Sequence, residues 1–167
     1  RQLAKLRVAQ LQSSPNCGPR RDGLTPSMVV IHYTAMQDAA SALERLCDPL
    51  AEVSAHYLIC AHGTVTQMVE EAERAWHAGV SNYRGRSNCN DDSIGIELEG
   101  LEGELFEAAQ YESLAQLCLA IGQQYPIAHI AGHEHIAPGR KKDPGSGFDW
   151  ALLKKIVAWP PQYFPEY

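Results

Sequence analysis

Two histidines and an aspartate lie close together in a turn-rich segment near the end of the chain. The segment AGHEHIAPGRKKDPG, residues 131–145, contains His133, His135 and Asp143. Imidazole nitrogens and carboxylate oxygens bind zinc, and catalytic zinc sites usually have three protein ligands and one open position. On an extended segment His133 and His135 would face the same side, so the spacing favours neither as the ligand. A solvated basic loop explains the same spacing equally well.

A third histidine, His32, lies in the apolar segment MVVIHYT, residues 28–34. The β-branched composition of this segment is typical of a buried strand. A buried imidazole costs free energy unless a partner satisfies its nitrogens. His32 is therefore a candidate metal ligand near the carboxyl end of a central strand, and a histidine bonded to a backbone carbonyl is the alternative.

Two charged residues are candidates for proton transfer and for stabilising an anion. In SIGIELEG, residues 93–100, three apolar residues alternate with Gly95, Glu97 and Glu99. If that second face lines a cleft, Glu97 is a candidate general base, although Glu99 shares the face and an exposed carboxylate is the alternative. Lys141 lies in a run of three cations. Its ammonium group could face a substrate carboxylate or a developing oxyanion, and a solvated charge is the alternative.

The elements that must position these residues follow from periodicity and turn signals. Turn-rich residues 12–27 predict an irregular N-terminal arm over residues 1–27. We expect strands at 28–34, 93–100 and 127–131, a β-hairpin formed by 56–61 and 64–69, helices at 38–47, 108–125 and 148–159, and a long irregular segment at 75–92. This order predicts an α/β fold with a mixed central sheet flanked by helices. We expect a single domain over residues 1–167, with its catalytic core at about 28–159.

Bulk properties restrict the class of protein. The chain has 167 residues, and its net charge of −6 argues against nucleic acid or an anionic membrane as the main partner. No segment approaches the roughly 18–20 uninterrupted apolar residues of a membrane span, so we expect no membrane insertion. Five cysteines without a C-x-x-C pair predict free thiols. These features favour the cytoplasm, with a periplasmic or envelope location as the alternative if a leader has been removed before Arg1.

Five sequence blocks occur in the order found in one known family: VVIHYTA, VSAHYLI, RAWHAGVS, CNDDSIGIELEG and GHEHIAPGRKKDPGSGFDW. Together they resemble the zinc-dependent N-acetylmuramoyl-L-alanine amidases of the AmpD type, which share a superfamily with peptidoglycan recognition proteins. The resemblance implies the fold of that superfamily. It also implies hydrolysis of the amide between N-acetylmuramic acid, intact or anhydro, and the L-alanine of the stem peptide, in cell-wall recycling or turnover.

The resemblance also implies roles for individual residues. His32, His133 and Asp143 match the ligands of one Zn²⁺ per chain, which favours His133 over His135. Glu97 matches the general base that acts on water, and Lys141 matches the lysine that stabilises the oxyanion. The residues expected to contact or shape the substrate site are Trp76, His77, Asn90 and Ala137, with loop packing as the alternative for the first two. His56 matches a supporting residue beside the site.

Two departures from the family pattern concern the substrate. Asn88 stands where relatives often have an arginine for a stem-peptide carboxylate, so Arg84 or Arg86 would have to replace it. The segment between HYTA and SAHYLI is short, as in envelope relatives that also cleave intact muramyl substrates, which implies a more open cleft.

The expected protein is a monomer that binds a muropeptide or peptidoglycan. A non-catalytic muropeptide-binding module is one alternative, and metal content measured together with cleavage separates it from an enzyme. An unrelated zinc peptidase, which would prefer a stem peptide without sugar, is the other.

Overall fold

The structure, a computed structural model, describes residues 8–166 of the chain. Its strands are β1 (Val8–Leu11), β2 (Cys17–Pro19), β3 (Met28–Tyr33), β4 (Tyr57–Ile59), β5 (Val65–Gln67), β6 (Glu73–Ala75), β7 (Asn82–Tyr83), β8 (Arg86–Ser87), β9 (Ser93–Leu98) and β10 (His129–Gly132). Its α-helices are α1 (Ala39–Leu46), α2 (Ala108–Gln124), α3 (His133–Ile136) and α4 (Trp150–Val157). Short 3₁₀ helices span Arg21–Gly23, Cys89–Asp92 and Pro161–Tyr163.

Six strands form the main sheet in the order β1–β5–β4–β9–β3–β10. The β4–β5 pair is antiparallel, and the other neighbouring pairs are parallel. The prediction of a mixed sheet flanked by helices is confirmed. The central position of β3 between β9 and β10 explains its nearly continuous apolar sequence, because such a strand is covered on both faces.

Helices α2 and α4 cover one face of this sheet. Val29 and Ile31 of β3 extend toward them, together with the apolar residues of β9. The two helices contribute apolar residues that include Leu114, Leu117, Cys118, Ile121, Leu153 and Val157. Asp149 caps the start of α4, because its side chain accepts a hydrogen bond from the Leu152 N–H at 3.0 Å. This layer makes the sheet a rigid support for whatever its other face carries.

The opposite face carries His32 and Glu97. Side chains alternate along a strand, so Met28, Val30 and His32 extend away from the layer formed by α2 and α4. Helix α1 packs over the β4 side of this face through a second apolar cluster. Asp38 caps α1 by accepting the Ser41 N–H at 2.7 Å, at the residue where this helix is predicted to start. The remaining cover comes from the segment between β6 and β9.

The predicted hairpin is also confirmed. Strands β4 and β5 pair in antiparallel fashion, and the Cys60 N–H donates to the Thr64 carbonyl at 3.0 Å across the turn. Gly63 has φ +88°, a conformation that glycine adopts without steric cost. The last helix is shorter than predicted, since α4 spans Trp150–Val157 rather than residues 148–159.

The prediction of an irregular N-terminal arm is wrong over much of the described part, residues 8–27. Strand β1 pairs with β5, and β2 pairs with β6. Arg20 is buried, and its guanidinium donates to the carbonyls of Glu71 at 2.7 Å and Ser93 at 3.0 Å. Strand β2 is only Cys-Gly-Pro, too short and too turn-like to show periodicity. The core also extends beyond residue 159, because Phe164 is buried in the main apolar cluster.

The cysteines agree with the expectation of free thiols. All five cysteines are free, with Cys89 and Cys118 buried and the others half-buried. Within residues 8–166, none of the helices combines the length and the apolar character that crossing a membrane requires.

Candidate active site

His32 and Glu97 come from neighbouring parallel strands. They are partners in the β3–β9 register, so both side chains extend from the same face of the sheet. The His32 Nδ1 atom lies 4.0 Å from Glu97 Oε2. Each residue is the last but one of its strand, which places both at the carboxyl edge of the parallel strands. Ligand sites in open α/β sheets form at this edge.

His133 and Asp143 meet His32 at the same edge. His133 directly follows β10, which runs parallel to β3, and Asp143 lies in the loop after α3. His32 Nδ1 is 3.0 Å from both His133 Nδ1 and Asp143 Oδ2. His133 Nδ1 is 3.3 Å from the same carboxylate oxygen. The three predicted ligands therefore converge on one point as a buried group that could hold a metal ion.

Hydrogen bonds on the far side of His133 fix its orientation. Its Nε2 lies 2.9 Å from the Ala78 carbonyl oxygen, so Nε2 carries the proton and Nδ1 presents a lone pair. Burial alone would raise the pKa of Asp143, but its bonds to His133 and His32 lower that pKa below its usual range. The Asp143 carboxylate is therefore negatively charged beside the Nδ1 atoms of two imidazoles. Two imidazoles with a carboxylate suit zinc.

His135 does not belong to this cluster. The two histidines would face the same side only if their segment were extended. Residues 133–136 instead form the single helical turn α3. Successive residues of a helix are rotated by about 100°, so residues two apart face different directions. His135 Nδ1 accepts the Gly132 N–H at 2.8 Å instead. Its role is to satisfy a backbone donor at the start of α3.

Glu97, rather than Glu99, is the acid beside the cluster. Burial raises the pKa of Glu97 well above its usual value, the charge of Asp143 raises it further, and Lys141 lowers it. Glu99 Oε1 accepts the Ala61 N–H at 2.8 Å, and Glu99 lines a different cavity. The structure therefore separates two carboxylates that strand periodicity left equivalent.

A cavity of about 220 Å³ opens over the cluster. Trp76, His77 and Lys141 line it together with the metal-ligand candidates and Glu97. Arg45 of α1 lines it too, and its side chain is exposed. Within residues 8–166, the Arg45 guanidinium forms no ion pair or hydrogen bond. The cleft therefore combines a metal-binding cluster, a buried acid and two cations.

Asn90 holds the segment that carries Trp76 and His77. Its Oδ1 accepts the backbone N–H groups of His77 at 3.0 Å and Ala78 at 2.8 Å. The His77 ring lies against Gly95, where an added Cβ would be 2.5 Å from His77 Cγ, so this close approach requires glycine. Both His77 ring nitrogens have partners, His32 and Ser93, at 2.9 Å each. Neither nitrogen is left for substrate.

Two of the predicted substrate residues do not line the cavity. Asn90 and Ala137 are both buried and lie outside its lining. The Ala137 carbonyl accepts the N–H groups of Arg140 at 3.1 Å and Lys141 at 3.0 Å, so it shapes the turn that carries the lysine. Direct substrate contact by Asn90 and Ala137 stays a prediction.

Neither Arg84 nor Arg86 replaces the arginine missing at position 88 in this structure. Arg84 donates to the Phe164 carbonyl at 3.1 Å, and Arg86 forms an ion pair with Asp92. Neither side chain lines the cavity over the cluster. Asn88 itself is exposed, in the left-handed conformation with φ 54°.

Arg140, the first cation of the run that contains Lys141, bonds to the covering segment. Its guanidinium donates to the carbonyls of Ala78 at 2.7 Å and Val80 at 2.8 Å. It thereby joins the turn carrying Lys141 to the segment carrying His77. Lys142, in contrast, is exposed and pairs only loosely with Glu102, with Nζ 3.8 Å from Oε2.

Sequence reasoning missed Arg45 and Ser93. Ser93 shares the alternation of Gly95 and Glu97, so the strand pattern already placed it on the site face. Arg45 lies three residues after the buried Ala42 on α1, and helical periodicity alone could have placed it beside the buried stripe. Its position beside the active-site cavity could not be predicted, because it depends on how α1 packs against distant segments.

The fold and the cluster are typical of a metal-dependent hydrolase, and comparison with known proteins shows the family to which the chain belongs. Residues 22–146 match the N-acetylmuramoyl-L-alanine amidase family, and the chain belongs to this family of enzymes. The predicted family membership is therefore confirmed.

Named relatives and solved structures agree with this assignment. The 1,6-anhydro-N-acetylmuramyl-L-alanine amidase AmpD of Citrobacter freundii is 39% identical over 171 residues, covering 91% of each chain. A crystal structure of a selenomethionine AmpD derivative superposes with a TM-score of 0.83 at 39% identity, covering 89% of this chain and 94% of that one. The Escherichia coli amidase AmiD, solved in complex with anhydro-N-acetylmuramic acid-L-Ala-D-γ-Glu-L-Lys, gives a TM-score of 0.74 at 37% identity, covering 87% of this chain and 60% of that one.

Proposed function

We propose that this chain hydrolyses the amide between N-acetylmuramic acid, in particular its anhydro form, and the L-alanine of the stem peptide, in peptidoglycan recycling. The observation that carries the proposal is the convergence of His32, His133 and Asp143 beside Glu97 in one cleft. Family membership supplies the reaction. The relative AmiD, whose structure contains an anhydromuramyl peptide, supplies the class of substrate.

One Zn²⁺ would be held by the Nδ1 atoms of His32 and His133 and by a carboxylate oxygen of Asp143. These are ligand types of hydrolytic zinc sites, in which a further position stays open. Bound there, zinc would polarise the amide carbonyl and make a water molecule more acidic. The ligand set bears one negative charge, so the site would keep a net positive charge.

Glu97 is the proposed general base. Its carboxylate reaches to 4.0 Å from His32 Nδ1, so it faces the space where the attacking water must lie. It would take a proton from that water as the oxygen attacks the carbonyl carbon, and would then deliver the proton to the leaving nitrogen of L-alanine. Burial raises the pKa of the carboxyl, and a higher pKa makes the carboxylate a stronger proton acceptor.

Lys141 is the proposed partner of the oxyanion. Its exposed side chain lines the cleft beside Asp143, and the Ala137 carbonyl fixes its backbone. An ammonium group directed at the carbonyl oxygen stabilises the negative charge that develops there during attack. The lysine therefore acts on the transition state more than on the bound substrate.

Arg45 is the proposed contact for a stem-peptide carboxylate. A γ-linked D-glutamate leaves its α-carboxylate free, so a muropeptide brings at least one anion into the cleft. Arg45 lines the cleft without an ion pair in the described part of the chain, whereas Arg84 and Arg86 are bonded elsewhere. A guanidinium can hold a carboxylate through two parallel hydrogen bonds.

Amide cleavage before and after metal removal tests the proposed function. Purified protein should release L-alanyl peptide from an anhydro-N-acetylmuramyl tripeptide, lose this activity after chelation, and regain it with added Zn²⁺. Full activity in metal-free protein would refute the zinc assignment. Comparing anhydromuropeptides with intact sacculi then decides between the two sugar forms, and preference for a sugar-free stem peptide would instead indicate a peptidase.

One chain supplies every residue of the proposed site, which supports a monomer as the active unit. A muropeptide-binding module that does not cleave is the competing function, and metal-loaded protein that binds but never cleaves the tripeptide would establish it. The cytoplasmic location, with the periplasm or envelope as the alternative, stays a prediction.

A further inference from the structure

A chain of hydrogen bonds runs from His32 away from the cleft. His32 Nε2 lies 2.9 Å from His77 Nδ1, and His77 Nε2 lies 2.9 Å from Ser93 Oγ. His32, His77 and Ser93 are all buried, with Ser93 fully enclosed. We refer to these three side chains as the His32–His77–Ser93 relay.

His32 differs from His133 in how many proton arrangements its hydrogen bonds allow. His133 Nε2 faces a carbonyl oxygen, which only accepts, so the proton of that imidazole has one possible place. His32 Nε2 instead faces an imidazole, which accepts or donates according to its tautomer. The relay therefore has two proton arrangements of opposite direction, and they differ at His32 Nδ1.

Only one direction of the relay leaves His32 ready to bind a metal. When Ser93 donates to His77 and His77 donates to His32, the remaining proton of His32 lies on Nδ1 and blocks the lone pair. When His32 Nε2–H donates to His77 Nδ1, and His77 Nε2–H donates to Ser93 Oγ, His32 Nδ1 is bare. Partners of this kind, behind the ligands themselves, set tautomer and ring orientation in metal sites.

The backbone around His77 is built to hold this geometry. Asn90 Oδ1 accepts the His77 N–H at 3.0 Å, and Gly95 leaves no side chain between the ring and β9. The neighbouring His56 Nδ1 accepts the Gly95 N–H at 3.0 Å, which anchors the strand beneath the ring. The ring of His77 is thus fixed from its backbone, its underside and both of its nitrogens.

We propose that His77, supported by Ser93, is a positioning residue that accepts the Nε2 proton of His32 and so presents the Nδ1 lone pair to the metal. This role replaces the expected substrate contact of His77. The inference rests on the proposed function only in taking His32 as a metal ligand, and its deciding measurement, zinc affinity, needs no substrate.

Zinc affinity of the purified full chain, measured by competition with a chromophoric chelator, is the deciding quantity. His77→Ala should weaken zinc binding about 10- to 100-fold, the usual effect of losing such a partner. His77→Asn should recover most of the affinity, because the Asn amide oxygen can take the place of Nδ1 as acceptor. Ser93→Ala should weaken binding by a smaller factor.

Ser81→Ala is the matched control for Ser93→Ala. Ser81 is buried in the covering segment that carries His77, and its Oγ bonds to the Gly79 carbonyl and the Cys89 N–H rather than to a residue of the relay. The zinc affinity of the Ser81→Ala variant should equal that of the unmodified protein. Should His77→Ala fail to fold, the comparison of His77→Asn, Ser93→Ala and Ser81→Ala decides the question.

Unchanged zinc affinity in folded His77→Ala, or equal affinities of Ser93→Ala and Ser81→Ala, would overturn the inference. A rise in KM with unchanged zinc affinity would return His77 to substrate binding. Failure of the proposed function would look different: the unmodified protein would bind zinc, the relay variants would weaken it, and no amide would be cleaved.

Discussion

His32 and Glu97 are register partners on adjacent parallel strands, and 4.0 Å separates His32 Nδ1 from Glu97 Oε2. The sheet itself therefore sets the distance between a proposed metal ligand and the proposed base. Neither residue depends on a loop for its position. A catalytic pair fixed in this way should tolerate changes in the covering segments better than changes in β3 or β9.

Replacing Glu97 with Gln should abolish most turnover while leaving zinc bound. The amide keeps the size of the side chain but cannot take a proton, and loss of a general base typically costs about 10²- to 10⁴-fold in rate. Steady-state cleavage of the anhydromuramyl tripeptide and zinc content measure the two effects. Glu99→Gln, on the same strand face but bonded to the Ala61 N–H, should keep nearly full activity. Equal losses in both variants would contradict the assignment.

Lys141→Ala should lower kcat more than it changes KM. Removing one well-placed donor to an oxyanion costs about 10²- to 10³-fold in kcat. Lys142→Ala is the matched control, because Lys142 is the next residue, equally cationic, and pairs only with exposed Glu102. Its kinetics should match those of the unmodified enzyme. An effect of Lys141→Ala confined to KM would indicate binding of a ground-state anion instead.

Arg45→Gln should raise KM for stem peptides with a free carboxylate about 3- to 10-fold, the value of one exposed charge-assisted contact. Arg45→Lys should lie between Gln and the unmodified enzyme, because it keeps the charge but loses the two-pronged geometry. The same kinetics with a substrate whose D-glutamate α-carboxylate is amidated give the control. If Arg45→Gln affects both substrates equally, Arg45 does not recognise that carboxylate.

His56 should make the protein less stable as the pH falls below about 6.5. The pKa of His56 is lowered from 6.5 to about 3, mainly because the ring is buried. The bond to the Glu73 carbonyl raises this pKa, and the charge of nearby Arg20 lowers it further. The unfolded chain thus takes up this proton at a higher pH than the folded chain. Its contribution to stability is complete above pH 6.5 and is lost progressively toward pH 3. Besides Arg20, the ring of His77 faces it, with centroids 6.1 Å apart.

The measurement is the free energy of unfolding in urea at several pH values between about 4 and 7, with both proteins in the same metal state. His56→Gln removes one titrating group, so its stability should depend on pH less steeply by up to about 1.4 kcal/mol per pH unit. All other residues are the same in both proteins, so the comparison isolates the contribution of His56. Parallel curves for the two proteins would contradict the prediction.

Strand periodicity correctly predicted much of the fold and part of the candidate site. Alternation in residues 93–100 correctly separated the core face from the face of Glu97, and His32 followed from its place among β-branched residues. The pairing of these residues with His133 and Asp143 came only from the ordered family motifs. No local pattern relates His32 to Asp143, because the two are 111 residues apart.

Other features were out of reach because they depend on packing between distant segments. The single turn α3, which separates His133 from His135, has too few residues for a periodic signal. Arg20 lies in a turn-rich segment, and its partners are carbonyls near residues 71 and 93. The relay joins residues from β3, a long connecting segment and β9, so its existence depends on the completed sheet.

The large sequence separation of the candidate metal ligands affects how fast the protein would be degraded. An ion held by His32 and Asp143 would tether two parts of the chain 111 residues apart, and its binding free energy would add to that of folding. Without the ion, the carboxyl edge of the sheet would open more often and expose the backbone to proteases. Zinc shortage should therefore reduce the amount of this amidase in the cell as well as its activity.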